Sequence, residues 1–177
     1  MPYLQHDKNH VIGNLRRLGL AIVDSNLAIS GFAGLVGMLV YQLVLYGTTA
    51  LLAISTGILY LISGNGFMQG LIELNEIAQK SIKVGTEWEH ISWYGGFLIA
   101  VSMLANFVGA RAAGRLAPGR EYWAAVAMIV TVYLIAYAFD YAELNAPLWF
   151  NSLSIATSIL AACLGANRAR RANVMAP

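Results

Sequence analysis

Two pairs of residues have the spacing that metal-binding helices use. Glu87 and His90 lie three positions apart, as do Glu73 and Glu76, so each pair would share one face of a helix. A carboxylate-bridged di-iron bundle needs two Glu-x-x-His pairs, and the sequence contains one. We therefore interpret Glu87 and His90 as polar residues at the head-group level beside a membrane span. We predict no bound metal and no other cofactor.

A haem inside a membrane needs two histidine ligands between the spans. The histidines of the chain are His6, His10 and His90, and the first two fall in a polar N-terminal tail. One chain therefore cannot supply both ligands. A haem shared between chains, or a metal at Glu87 and His90, is the basis of a redox or metal-binding alternative.

A row of tyrosines leads along one predicted helix face towards an acidic residue. Tyr133, Tyr137 and Tyr141 recur every four residues, and Asp140 precedes the last of them. This spacing predicts a packed helix face whose hydroxyl groups bond to neighbours; the alternative is a polar track or a quinone contact. Ionisable residues lie only near the ends of the apolar segments, which does not favour an ion-coupled transporter.

The composition indicates which elements carry these residues. Of the 177 residues, 58% are hydrophobic and 11% are charged, whereas soluble domains carry about 25% charged residues. The single cysteine, Cys163, excludes an intramolecular disulfide and a CxxC redox pair. No nucleotide-binding, zinc or nucleic-acid motif is present. We predict an all-α integral membrane protein that forms one domain over residues 1–177.

One uncharged stretch dominates the chain. Ser25–Ile72 contains 48 residues without Asp, Glu, Lys, Arg or His. A membrane span needs about 20 residues, so this stretch is too long for one span and barely long enough for two. Gly47-Thr48-Thr49 is predicted to divide it, and Gly64-Asn65-Gly66 to end it in a loop.

The distribution of basic residues favours four spans over five. Four spans put nine Lys and Arg on one side and two on the other, whereas five spans give five and six. The positive-inside rule then places both termini in the cytoplasm, in a bacterial-type inner membrane. The predicted segments are a polar tail with an amphipathic lead-in (1–26), a long first apolar segment (27–63), an amphipathic helix (67–84) and further spans (91–110, 122–139 and 144–167).

A single crossing by residues 27–63 leaves apolar surface outside the lipid, which usually indicates a protein partner. Three glycines near its start would allow close helix packing, and three large aliphatic residues near its end need cover. These assembly candidates are Gly31, Gly34, Gly37, Leu51, Ile54 and Ile58.

We therefore expect a non-catalytic structural or accessory subunit of a larger membrane assembly, without enzymatic activity. The alternatives are a homo-oligomeric channel or pore and a redox or metal-binding enzyme subunit. The expected partners are membrane lipids and other membrane subunits or copies of the chain, and no nucleic acid.

Overall fold

The computed structural model describes residues 3–83, 93–138 and 148–175, with side chains over 25–78, 95–138 and 151–175. These residues form five helices and no strand, which confirms the all-α prediction. The helices are α1 (Tyr3–Ile62), α2 (Phe67–Lys83), α3 (Trp93–Leu116), α4 (Glu121–Ala138) and α5 (Leu148–Val174). Three described stretches are long and apolar enough to cross a membrane, namely Ser25–Ile62, Gly95–Leu116 and Glu121–Ala138.

Helix α1 is unbroken over 60 residues, which makes it about 90 Å long. The predicted division at Gly47-Thr48-Thr49 is therefore wrong. The Thr48 hydroxyl donates to the Val44 carbonyl at 2.7 Å, and the Thr49 hydroxyl to the Leu45 carbonyl at 3.0 Å. Because both polar groups are satisfied inside the helix, they do not interrupt it. The first apolar segment is therefore one continuous helix in this structure.

The predicted loop after α1 is confirmed at Gly64-Asn65-Gly66. Gly64 has φ 84°, a left-handed conformation that glycine adopts without strain. The Asn65 N–H donates to the Tyr60 carbonyl at 2.9 Å, and the Gly64 N–H to the Leu61 carbonyl at 3.2 Å. This Schellman motif satisfies the last carbonyls of α1 and reverses the chain.

Helix α2 returns along the end of α1. A methyl group at Gly57 would lie 2.5 Å from the Phe67 ring, and one at Gly70 would lie 2.9 Å from the Tyr60 ring. The Tyr60 hydroxyl donates a hydrogen bond to the Glu73 carboxylate. We call residues 47–83 the α1–α2 hairpin.

The remaining helices form a bundle around α3, which contacts α1, α4 and α5. We define the bundle as residues 25–46 of α1 with α3, α4 and α5. Helices α1 and α4 run in one direction, and α3 and α5 run in the other. The buried core consists largely of alanine, and Met128 is its largest fully buried side chain among the described residues. Small side chains let the backbones approach closely, as membrane helices require.

Helices α2 and α3 both contact α1, and α3 runs antiparallel to it. The end of α1 packs on α2, whereas its Gly37 packs on Gly109 in the middle of α3. The α1–α2 hairpin therefore extends past the bundle at one end.

Candidate functional site

The α1–α2 hairpin exposes a stripe of large aliphatic side chains. Leu51, Ile54, Ile58 and Leu61 are 65%, 49%, 45% and 59% exposed. Their spacing of three or four residues puts them on one face of α1. Gly57 and Tyr60, which contact α2, lie on another face. We call these four residues the α1 stripe, and three of them are assembly candidates identified in the sequence.

The α1 stripe lies past the described end of α4. The apolar part of α1, Ser25–Ile62, has 38 residues, and the apolar α4, Glu121–Ala138, has 18. These lengths correspond to about 57 Å and about 27 Å, and the hydrocarbon core of a bilayer is about 30 Å thick. Since α4 runs beside the first part of α1, the difference of about 30 Å between these two described stretches falls at the hairpin.

The three candidate glycines have different surroundings in the structure. A methyl group at Gly34 would lie 2.7 Å from the Ala127 Cβ of α4. One at Gly37 would lie 2.7 Å from the Ala113 Cβ and 2.8 Å from the Gly109 carbonyl oxygen of α3. Gly31 has no neighbour within 4 Å of such a group. Gly34 and Gly37 thus pack inside their own chain, and Gly31 alone of the three lies open.

A polar cluster joins the helices inside the bundle. The buried Asn106 side-chain amide donates to the Ser102 carbonyl at 2.9 Å and to the Ser158 hydroxyl at 3.1 Å. Tyr41 of α1 lies beside Ser102, and Tyr133 of α4 lies beside Ser158. The Asn106 bond to Ser158 therefore links α3 to α5, and the two tyrosines bring α1 and α4 next to this cluster. Polar bonds of this kind hold helices together where lipid supplies no hydrophobic force.

Sequence reasoning missed most of this cluster, although a signal was present. Asn106 is a side-chain amide within an otherwise apolar span, and such a group needs a partner on another helix. Of the predicted tyrosine row, Tyr133 lies next to the cluster, beside Ser158. Tyr137 is 77% exposed and does not continue a buried track.

The basic residues gather at the end of the bundle opposite the hairpin. The Asn173 side-chain amide of α5 donates to the Gly114 carbonyl at 3.1 Å and to the Glu121 carboxylate at 3.0 Å. The Gly119 N–H also donates to Glu121 at 3.0 Å. These bonds tie the end of α5 to the α3–α4 turn. The six arginines near this end are Arg111, Arg115, Arg120, Arg168, Arg170 and Arg171.

The proposed polar candidates Glu87, His90 and Asp140 lie outside the described residues. Glu73 belongs to the α1–α2 hairpin, where it accepts the Tyr60 hydrogen bond. The part of the chain that the structure describes contains no group of three His, Cys, Asp or Glu side chains that could hold a metal ion.

Comparisons with protein-family models, with curated proteins and with solved structures find no match to this chain. Its function is therefore inferred from its own residues and contacts.

Proposed function

We propose that the protein is a non-catalytic structural or accessory subunit of a larger membrane assembly and that it meets its partner through the α1 stripe. The observation that carries this proposal is the exposure of Leu51, Ile54 and Ile58 on a helix end that extends past the bundle. Apolar side chains held outside lipid are costly in water, and contiguous patches of them mark contact surfaces.

The size of the stripe supports a stable contact. Full burial of a large aliphatic side chain contributes about 1.5–3 kcal/mol. The four stripe residues are about half exposed, so covering the remainder contributes about 3–6 kcal/mol in total. Association itself costs several kcal/mol. The stripe is therefore the centre of a larger contact, to which the exposed Leu59 and Ile62 of the same helix end contribute.

The membrane arrangement that accompanies this proposal has four crossings, by α1, α3, α4 and α5. Both termini face the cytoplasm of a bacterial-type inner membrane, and α2 faces outward. The arginines at one end of the bundle support it, because cytoplasmic ends carry the excess of Lys and Arg. Glu73 and Glu76 lie on α2, at the opposite end.

Labelling from each side of the membrane tests this orientation. In a Cys163→Ser background, Asn75→Cys on α2 should react with an impermeant maleimide added outside, and Arg171→Cys on α5 should not. Both positions are exposed. Reaction of Asn75→Cys only after the cytoplasmic side is opened would contradict the four-crossing arrangement.

The assembly itself is tested by particle size after mild detergent extraction. The wild-type chain should elute with a second protein, and Ile54→Asp should elute alone while still inserting. The matched control is Gln69→Glu, which adds the same charge at an exposed position of α2. A wild-type chain that is a monodisperse monomer, with Ile54→Asp behaving identically, would refute the subunit proposal. A ring of this chain alone would favour the channel alternative, and a bound metal or chromophore would favour the redox alternative.

A further inference from the structure

A polar cavity and an apolar groove lie next to each other between α4 and α5, at the arginine-rich end of the bundle. The cavity has a volume of about 530 Å³, and its lining includes Arg120, Trp123 and Arg170. The groove has a volume of about 270 Å³, and its lining includes Val126 and Cys163. Tyr122 lines both, so the two spaces meet at its ring.

The cavity has the charge that an anionic phosphate group requires. Arg120 is half-buried and Arg170 is exposed, and both residues belong to its lining. The one carboxylate in that lining, Glu121, accepts hydrogen bonds from the Gly119 N–H and the Asn173 amide at 3.0 Å each and also interacts with Arg170. Its negative charge offsets one of the two arginines, so the lining keeps a net positive charge. Guanidinium groups bind phosphate oxygens through strong, directional hydrogen bonds.

The groove has the surface that an acyl chain requires. Its walls are entirely apolar side-chain surface, contributed by α4 and α5. Val126, Val130 and Ile159 are each about half exposed on the outside of the bundle, and Cys163 is exposed beside them. In a bilayer this outside faces lipid tails. Trp123 is 70% exposed at the mouth of the cavity, where aromatic rings favour the head-group level.

We propose that α4 and α5 bind one anionic phospholipid, with its phosphate between Arg120 and Arg170 and one acyl chain in the groove. The combination distinguishes this site from a basic surface that attracts any anion. A free phosphate would use the cavity alone, whereas a phospholipid fills both spaces and enters from the membrane. The site lies away from the α1 stripe, so it does not depend on the subunit proposal.

Native mass spectrometry of the full-length protein tests the charge requirement. In detergent, the protein should retain phosphatidylglycerol about thirty-fold more tightly than phosphatidylcholine, the factor that two arginines supply at a membrane surface. Arg120→Gln with Arg170→Gln should abolish this preference. Arg115→Gln is the matched control, because Arg115 is exposed at the same end and does not line the cavity. An equal loss in Arg115→Gln, or no preference in the wild type, would overturn the proposal.

Alkylation of Cys163 tests the groove. Phosphatidylglycerol should slow the reaction of Cys163 with a maleimide several-fold, and phosphatidylcholine at the same concentration should not. Val126→Trp should fill the groove and weaken phosphatidylglycerol binding, whereas Leu134→Trp, also exposed on α4 but outside the groove, should not.

Inorganic phosphate distinguishes a lipid from a free anion. At millimolar concentration it should neither protect Cys163 nor displace phosphatidylglycerol. If phosphate bound as tightly as phosphatidylglycerol, or if the lipid left Cys163 unprotected, the site would be one for a free anion and the lipid proposal would be wrong. Circular dichroism of each variant shows whether the helices are intact before binding is compared.

Discussion

The two halves of α1 have similar compositions and different neighbours. Residues 25–46 pack on α3 and α4 through Gly34 and Gly37, whereas residues 47–62 pack on α2 through Gly57. Both halves have highly exposed leucines: Leu43 is 75% exposed and Leu51 is 65% exposed. In the proposed membrane arrangement, lipid tails surround Leu43, so its exposure has no cost. Leu51 lies outside the lipid in that arrangement, where exposure to water is unfavourable. An exposed apolar side chain therefore indicates a protein partner only if it lies outside the hydrocarbon core of the bilayer.

The means of holding each half also differ. The bundle half is joined to other helices by close backbone approach and by the Asn106 cluster. The hairpin half is held by the Phe67 ring against Gly57, by the Tyr60 ring against Gly70 and by the bond from Tyr60 to Glu73. We expect the bundle to be the stable unit and the hairpin to open at lower free energy.

The largest effect should come from Gly37→Leu in the bundle half. The new side chain would meet the Ala113 Cβ and the Gly109 carbonyl oxygen, and backbone cannot move aside without separating α1 from α3. Overpacking typically lowers the free energy of unfolding by about 1–3 kcal/mol and occasionally by more. We expect a loss at the upper end of this range. Thermal unfolding in detergent measures it. Gly31→Leu is the control, because nothing lies within 4 Å of a side chain added there. If both variants had the same unfolding temperature, the close contact of Gly37 with α3 would be wrong.

Gly34→Leu should also destabilise the bundle. Its side chain would meet Ala127 and the Met128 backbone N of the same chain. Loss of a complex in this variant would therefore report misfolding as readily as a broken contact between chains. Ile54→Asp is the cleaner probe of assembly, because Ile54 is exposed.

A smaller and more local effect is expected from Gly57→Leu in the hairpin half. The new side chain would displace the Phe67 ring, and a ring can move where a backbone cannot. We expect a cost of about 1–3 kcal/mol confined to α2. Hydrogen exchange should accelerate in α2 and remain slow in α3 and α4. Gly47→Leu, which has nothing within 4 Å, should leave α2 protected; faster exchange throughout the chain would show that the two halves are not separate units.

Asn106→Ala should weaken the bundle by about 0.6–2 kcal/mol, the range measured for polar bonds between membrane helices. The Asn106 amide reaches Ser158 on α5 at 3.1 Å, so α5 should lose protection first. Thr157→Val is the control, because the Thr157 hydroxyl bonds only to carbonyls of its own helix. If Asn106→Ala unfolded with the same free energy as the wild type, the Asn106 cluster would not stabilise the bundle.

The smallest effect should follow Tyr60→Phe, which deletes the hydroxyl that bonds to Glu73 and keeps the ring beside Gly70. Because the bond lies at the surface, we expect slightly faster exchange in α2 and no change in the bundle. Glu73→Gln should have the same effect, and the two changes together should add nothing further. An additive double variant would show that the two side chains act independently.

Much of the local structure could be predicted from the sequence because its signals are local. The uncharged runs predicted α3 and α4 as apolar helices, and the stripe beginning at Phe67 predicted α2 to within one residue of its end. The glycine turn after α1 followed from the conformation that Gly64 adopts. The length of an apolar run, the helical period and the turn residues each depend on a few neighbouring positions. They can therefore be identified from the sequence without knowing the fold.

The sequence by itself determined that this is an all-helical chain with an apolar first segment too long for one bilayer. Only the tertiary structure decided how that excess is used. In the structure α1 continues as one helix, α2 covers one face of its end, and Gly34 and Gly37 pack within the chain's own bundle. The Asn106 cluster and the α4–α5 cavity likewise depend on residues distant in sequence. Contacts of this kind depend on how whole helices approach one another, which no local pattern specifies.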